Sequence, residues 1–145
     1  MQNTKKVEVS IVNAFTADDK GGNPAGIVLN ADTLTSRQKQ KVATMAGLPE
    51  TAFVSASKVA GIKLEFFTPT RQIAHCGHAT IATFSYLKQN GLLASDKTSK
   101  ETIDGIRKIN IDGDMAFMEQ VSPLYTDFSQ RAAMILSSIG IGTGD

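Results

Sequence analysis

The sequence predicts an α+β fold: a curved, mainly antiparallel sheet wrapped around one central buried helix, with residues 1–145 as a single domain. Three observations lead there. Several short segments alternate apolar and polar residues at period two. One segment is apolar around most of its circumference at helical spacing, and an Asp-Gly pair sits between two alternating arms. A chain of 145 residues is the size of one ordinary domain and long enough to bury a real core.

Between Val7 and Phe15, the residues Val7, Val9, Ile11, Asn13 and Phe15 share one side, which predicts the first strand. "DDKGGNPAGIV" then supplies paired glycines and a proline, a loop signal, before the aliphatic run Gly26 to Leu29. Thr35 stands three residues before Gln38, the spacing of a capping box, and Gly47 with Pro49 ends the segment, so a helix is predicted over 36–46. Only Val42, Met45 and a few alanines there are apolar, which places this helix on the surface.

"ETAFVSAS" and "GIKLEFFT" read as two short strands, with Ile62, Leu64 and Phe66 on one face. From Gly77 to Asn90 the one charge is Lys88, while Ala79, Ile81, Ala82, Phe84, Tyr86 and Leu87 cover most of the helix surface. That helix belongs at the centre, and Gly91 stops it. "IRKINIDGDMAFMEQ" is a hairpin around Asp112-Gly113, setting Ile109 and Ile111 against Met115 and Phe117. Asp127, three residues before Gln130, caps a last helix through about Ile139, and the closing "GIGTGD" reads as a frayed end or a cut linker.

The net charge of +1, without basic or acidic blocks, argues against a nucleic-acid groove or a polybasic membrane patch and for a small-molecule partner. The start alternates instead of forming a secretory apolar run, and no segment approaches the ~20 apolar residues that span a bilayer. A lone cysteine fits a reducing, cytoplasmic address.

"IAHCGHAT", residues 73–80, holds the single cysteine and both histidines of the chain. If a helix starts at Gly77, the amides of Gly77, His78 and Ala79 lack intrahelical partners and can hold an anion such as a carboxylate; neighbouring backbone or water could equally cap them. Cys76, flanked by His75 and His78, is a nucleophile or acid/base candidate, or a small buried hydrophobe. Imidazole and thiolate suit zinc, but adjacent residues rarely converge on one ion and no second cluster completes four ligands, so no metal is expected. Glu50, after Leu48-Pro49 and before a β-branched and aromatic run, is either an acid/base at the mouth of a strand or an exposed loop carboxylate. Asp18, Asp19 and Lys20 read as a solvated loop, and Asn23 as a turn residue that could also reach a ligand.

Three stretches, "NAFTADDKGGNPAGIVL", "LPETAFV" and "LEFFTPTRQIAHCGHATIATFSYL", in this order and at these separations, resemble the first half of the PhzF-type phenazine-biosynthesis isomerase family, within the diaminopimelate epimerase-like fold. The resemblance is strong from Val7 to Gly91 and weaker over the hairpin. It implies two similar α+β halves, each a sheet around a central helix, with the active site between them. It implies proton transfer on a small carboxylate-bearing metabolite without metal or organic cofactor. It places the general acid/base on Glu50, the substrate-holding helix start on Gly77 and His78, and Asn23 on the wall of the same cleft. Cys76 matches the first of two catalytic cysteines in the related epimerases, and this chain has no second one.

The family's chains are about twice as long, and their second half supplies an acidic residue and the other cleft wall. The resemblance therefore leads us to expect a homodimer, formed through the pseudo-two-fold that relates the halves, or a separate second-half chain. A second reading is a non-catalytic binding or assembly module that keeps the half-cleft. A third is a thiol hydrolase built on Cys76.

Overall fold

The computed structural model describes residues 6–142, so the last three residues of "GIGTGD" lie outside it. In chain order the elements are β1 (Ser10–Ala14), β2 (Asn23–Val28), α1 (Ser36–Ala46), β3 (Glu50–Ser55), β4 (Ile62–Phe67), β5 (Gln72–Ile73), α2 (Gly77–Gln89), β6 (Lys97–Thr102), β7 (Gly105–Asp112), β8 (Met115–Met118) and α3 (Ala132–Ser138). The strands form one sheet in the order β1-β2-β3-β4-β6-β7-β8, with the short β5 paired to β4. Pairs β2–β3 and β4–β6 run parallel and the other neighbours antiparallel, so the sheet is mixed. Each parallel pair needs a crossover, and α1 and α2 provide them.

The two helices take different sides of the sheet. Ala79, Ala82 and Phe84 of α2 pack with Ile27, Ala52, Leu64 and Phe66, all buried, so α2 is the central helix expected from its composition. A second core holds Val28, Ala31, Ala43, Phe53 and Phe67, where the rings of Phe53 and Phe67 meet edge to face at 5.4 Å. With cores on both sides, β3 is buried continuously from Thr51 to Ser55 instead of alternating.

The end signals of both helices hold. Thr35 accepts from the Gln38 amide and the Gln38 side chain accepts from the Thr35 amide, completing the capping box, while Gly47 ends α1 in a left-handed conformation at φ 64°. Burial within α1 differs from expectation. Met45 is 77% exposed, and the buried residues are Ala43 and Lys39, whose ammonium forms an ion pair with Glu65 of β4.

Three further readings change. In β1 the residues turned toward α2 are Val12, Ala14 and Ser10, whose hydroxyl donates to the Tyr86 hydroxyl at 3.1 Å, while Ile11 and Phe15 are exposed. Val7 and Val9 pack instead against the second core. In the last hairpin Asp112 pairs with Met115, so the two turn residues are Gly113-Asp114. The turn lies one residue later than expected, which shifts each partner by two: Met118 stands opposite Ile109 and Ala116 opposite Ile111, while Met115 and Phe117 pair with Asp112 and Asn110 and are exposed. Asp127 does not cap the last helix: it accepts from the Ser129 amide, while the 3-10 turn Ser129–Arg131 starts from Phe128 and α3 from Arg131 without side-chain caps, and α3 buries none of its residues. Strand β6, which the sequence reading lacked, turns the polar Lys100 and Thr102 inward.

Candidate active site at the start of the central helix

Glu50 opens β3, in parallel register with Ala25 of β2. After β4 and the short β5 the chain turns back, and Cys76, extended at φ −147°, is the residue from which α2 starts. These two beginnings meet. His78 Nε2 lies 3.2 Å from Glu50 Oε2, and His78 Nδ1 lies 3.4 Å from Cys76 Sγ. The side chains of His78 and Glu50 are 12% and 20% exposed, sheltered but reachable. Beyond their mutual contact, neither Glu50 Oε2 nor His78 Nε2 has a hydrogen-bond partner.

Burial, reinforced by the Glu50 charge, pushes the Cys76 thiol up from its ordinary value, against the pull of the Ala79 and His78 N–H groups and of Lys100. The Cys76 sulfur and His78 Nδ1 are within hydrogen-bond distance, whereas the approach of His78 Nε2 to Glu50 Oε2 is a close contact without hydrogen-bond geometry. Cys76, His78 and Glu50 thus stand side by side, with the imidazole between the thiol and the carboxylate. Their donor atoms lie within 4.8 Å of one another, a set of types that suits a metal. One ligand atom from each residue belongs to that set, a convergence the sequence reading did not expect.

Gly77, the first helical residue, has open space above it: a Cβ there would meet nothing within 4 Å. The Ala79 and His78 amides act on the Cys76 sulfur, so part of the helix start is taken up by its own thiol. Asn23 stands exposed at the start of β2, two residues from the register partner of Glu50, and makes no hydrogen bond with the cluster. His75 turns elsewhere, toward Asp104 at 3.8 Å, and burial, followed by the charge of Lys100, lowers its pKa from the ordinary histidine value.

Lys100 escaped the sequence reading. It reaches in from β6, and its ammonium donates to Thr80 Oγ1 in the first turn of α2 at 2.7 Å. "DKTSKET" is polar throughout and carries no core signal; the period-two alternation of Lys100 and Thr102 was the one available clue. A larger concavity of about 660 Å³ lies between β1 and α1, lined by Val9, Ile11, Val42 and Met45, and does not include the cluster. Among the described residues no helix is long and apolar enough to cross a membrane.

Residues 12–144 match the family profile of phenazine biosynthesis-like proteins (PhzC-PhzF). An uncharacterized isomerase of Bacillus subtilis, YfhB, is 38% identical across 97% of this chain and 50% of its own length. A mouse protein, phenazine biosynthesis-like domain-containing protein 2, is 30% identical with the same coverage. Among solved structures, a PhzF-family phenazine biosynthesis protein of Bacillus anthracis superposes with a TM-score of 0.82 at 36% identity, over 98% of this chain and 50% of that one. A predicted epimerase of Pseudomonas aeruginosa shares the fold at a TM-score of 0.74 and 13% identity. The chain spans about half the length of the curated relatives it matches, and by sequence and by fold it belongs to the phenazine biosynthesis-like (PhzC-PhzF) protein family.

Proposed function

We propose that this chain forms one wall of an isomerase site that moves a proton on a small carboxylate-bearing metabolite. The observation that carries the reading is the contact of Glu50 Oε2 with His78 Nε2 at 3.2 Å, at the start of the central helix. Moving a proton beside a carboxylate needs a base and preorganised donors for the charge that develops. Glu50 removes and returns the proton, and His78 with the Gly77 amide holds the substrate's anionic edge. The names of the relatives, several of them isomerases, agree with this class of chemistry.

In this reading the opposite wall comes from a second chain, either another copy or a separate second-half polypeptide. Its support is the run of exposed apolar side chains that follow β8, among them Leu124 at 97% and Tyr125 at 92%. Light scattering after size exclusion, over a range of concentrations, tests self-pairing: a stable dimer is expected, and a monomer at every concentration removes it.

The decisive test of the chemistry is deuterium uptake from heavy water into a panel of small carboxylic acids bearing an acidic C–H. Wild type is expected to exchange at least one of them, and Glu50→Gln to lose the exchange by about 10² or more while still binding. Binding without exchange by wild type would leave a non-catalytic binding module. Exchange that survives Glu50→Gln but disappears in Cys76→Ala would move the chemistry to the thiol.

A further inference from the structure

Lys100 is the charge that the fold compensates least. Its side chain is fully buried, and none of the ion pairs among the described residues includes it. The ammonium has three donors and gives one to Thr80 Oγ1 at 2.7 Å, while the ring of Phe66 lies 5.2 Å away. The Thr80 hydroxyl hydrogen goes on to the carbonyl of Cys76 at 2.6 Å, which leaves the threonine oxygen free to accept from the ammonium. One bridging hydroxyl therefore ties this cation to the residue from which α2 starts.

Its neighbours come from several elements. Cys76 and Asp104 favour the charged amine, Arg107 of β7 opposes it, and burial outweighs them, lowering the pKa to about 8. The influence runs both ways: Lys100 favours the Cys76 thiolate and disfavours the charged form of His75. Glu50 acts on Cys76 in the opposite sense, while Asp104 and Arg107 act on His75 in opposite senses to each other. A buried cation held by one hydroxyl and one ring is costly to keep. Here it stands behind the first turn of α2, where the helix dipole is already positive.

We propose that Lys100 is a positioning residue of this cleft: the buried cation, tied through the Thr80 hydroxyl to the start of α2, whose charge acts on Cys76 and His75 and biases the cleft toward a carboxylate ligand. This rests on the isomerase reading for where a substrate sits. Its consequences for the two side chains belong to the unliganded protein.

The test uses the full chain with Lys100→Met, a near-isosteric apolar replacement, and Lys100→Arg. Cys76, the single cysteine, is titrated by ultraviolet thiolate absorbance with Cys76→Ser as the blank, and the two histidines are titrated by proton NMR. Lys100→Met is expected to move both the Cys76 and the His75 midpoints upward, by about half a unit to one unit, or roughly three- to tenfold in each ionisation constant. Lys100→Arg is expected to keep both near wild type. A folded Lys100→Met protein in which either midpoint stays put overturns the inference. If that variant does not fold, Thr80→Val, which removes the hydroxyl holding the ammonium, is read in the same titrations: upward shifts support the inference and unmoved midpoints overturn it. No substrate is needed, so the two readings fail separately. Shifted titrations in a chain that exchanges no deuterium would defeat the isomerase reading alone, and unshifted titrations in an active chain would defeat this one alone.

Discussion

His78 Nε2 and Glu50 Oε2 face each other at 3.2 Å where the first turn of a helix meets the first residue of a strand. Cys76 completes the row on the other nitrogen of the same ring. Because Glu50 is one of the influences raising the thiol, Glu50→Gln is expected to lower the Cys76 midpoint, the opposite direction from Lys100→Met. Thiolate absorbance against pH reads this directly, and an unchanged midpoint would show that the carboxylate does not act on the sulfur.

Gly77 separates ligand space from fold. Since a side chain there meets nothing within 4 Å, Gly77→Val is expected to change unfolding free energy by less than about 0.5 kcal/mol. The added methyls fill the space over the helix start, so for any carboxylate found to exchange deuterium KM should rise about tenfold or more, the scale of one lost charged hydrogen bond. Urea denaturation and steady-state kinetics measure the two effects. A large stability loss with unchanged KM would contradict the assignment.

The buried pair Lys39–Glu65 ties α1 to β4 on the side of the sheet away from α2. Glu65→Ala leaves the lysine buried and unpaired, with an expected cost of about 3 kcal/mol. The double replacement Lys39→Met with Glu65→Leu should recover most of it, because two apolar chains need no partner. Chemical denaturation of the single and double variants is the check.

Lys100 gives stability a particular pH dependence. Its folded pKa of about 8 lies below the ordinary lysine value of 10.5, so between these two values the unfolded chain holds more protons than the folded one. Stability from this group therefore rises with pH across that window, and below about 8 its full cost is present. Lys100→Met should be more stable than wild type at pH 7, with the advantage shrinking as pH climbs through the window. Urea titrations at neutral and at alkaline pH decide it, and an advantage that grows with pH would reverse the sign.

Much of this architecture was legible because its signals are local. The Thr35–Gln38 box, the Gly47 and Gly91 stops and the all-round apolar surface of α2 are properties of a few consecutive residues, and each appears where the sequence placed it. The hairpin was legible as a hairpin, but its register was not. "DGD" offers two adjacent turns, and pairing with β6 and α2 selects Gly113-Asp114 over Asp112-Gly113. Strand β6 was hidden because its inward residues are lysine and threonine, a pattern that means loop until a helix hydroxyl is there to receive the ammonium. Of the site, the sequence pointed to Glu50, Cys76, Gly77 and His78 one by one. That Glu50 touches the histidine depends on how α2 docks against β3, a distant packing event without a local signature.

The join between β4 and β6 has a kinetic consequence. These neighbours are held by a short parallel ladder, Ile62 with Lys100 and Lys63 with Glu101, and all of α2 lies between them in the chain. The β6–β7–β8 meander closes through short turns, whereas its attachment to the rest of the sheet must wait for the crossover to settle. Glu50, Cys76 and His78 all belong to the portion preceding that join, and Lys100 arrives with the meander. In refolding, the shape of the pocket is therefore expected to precede its charge, with the thiol acquiring its final acidity only at the last step.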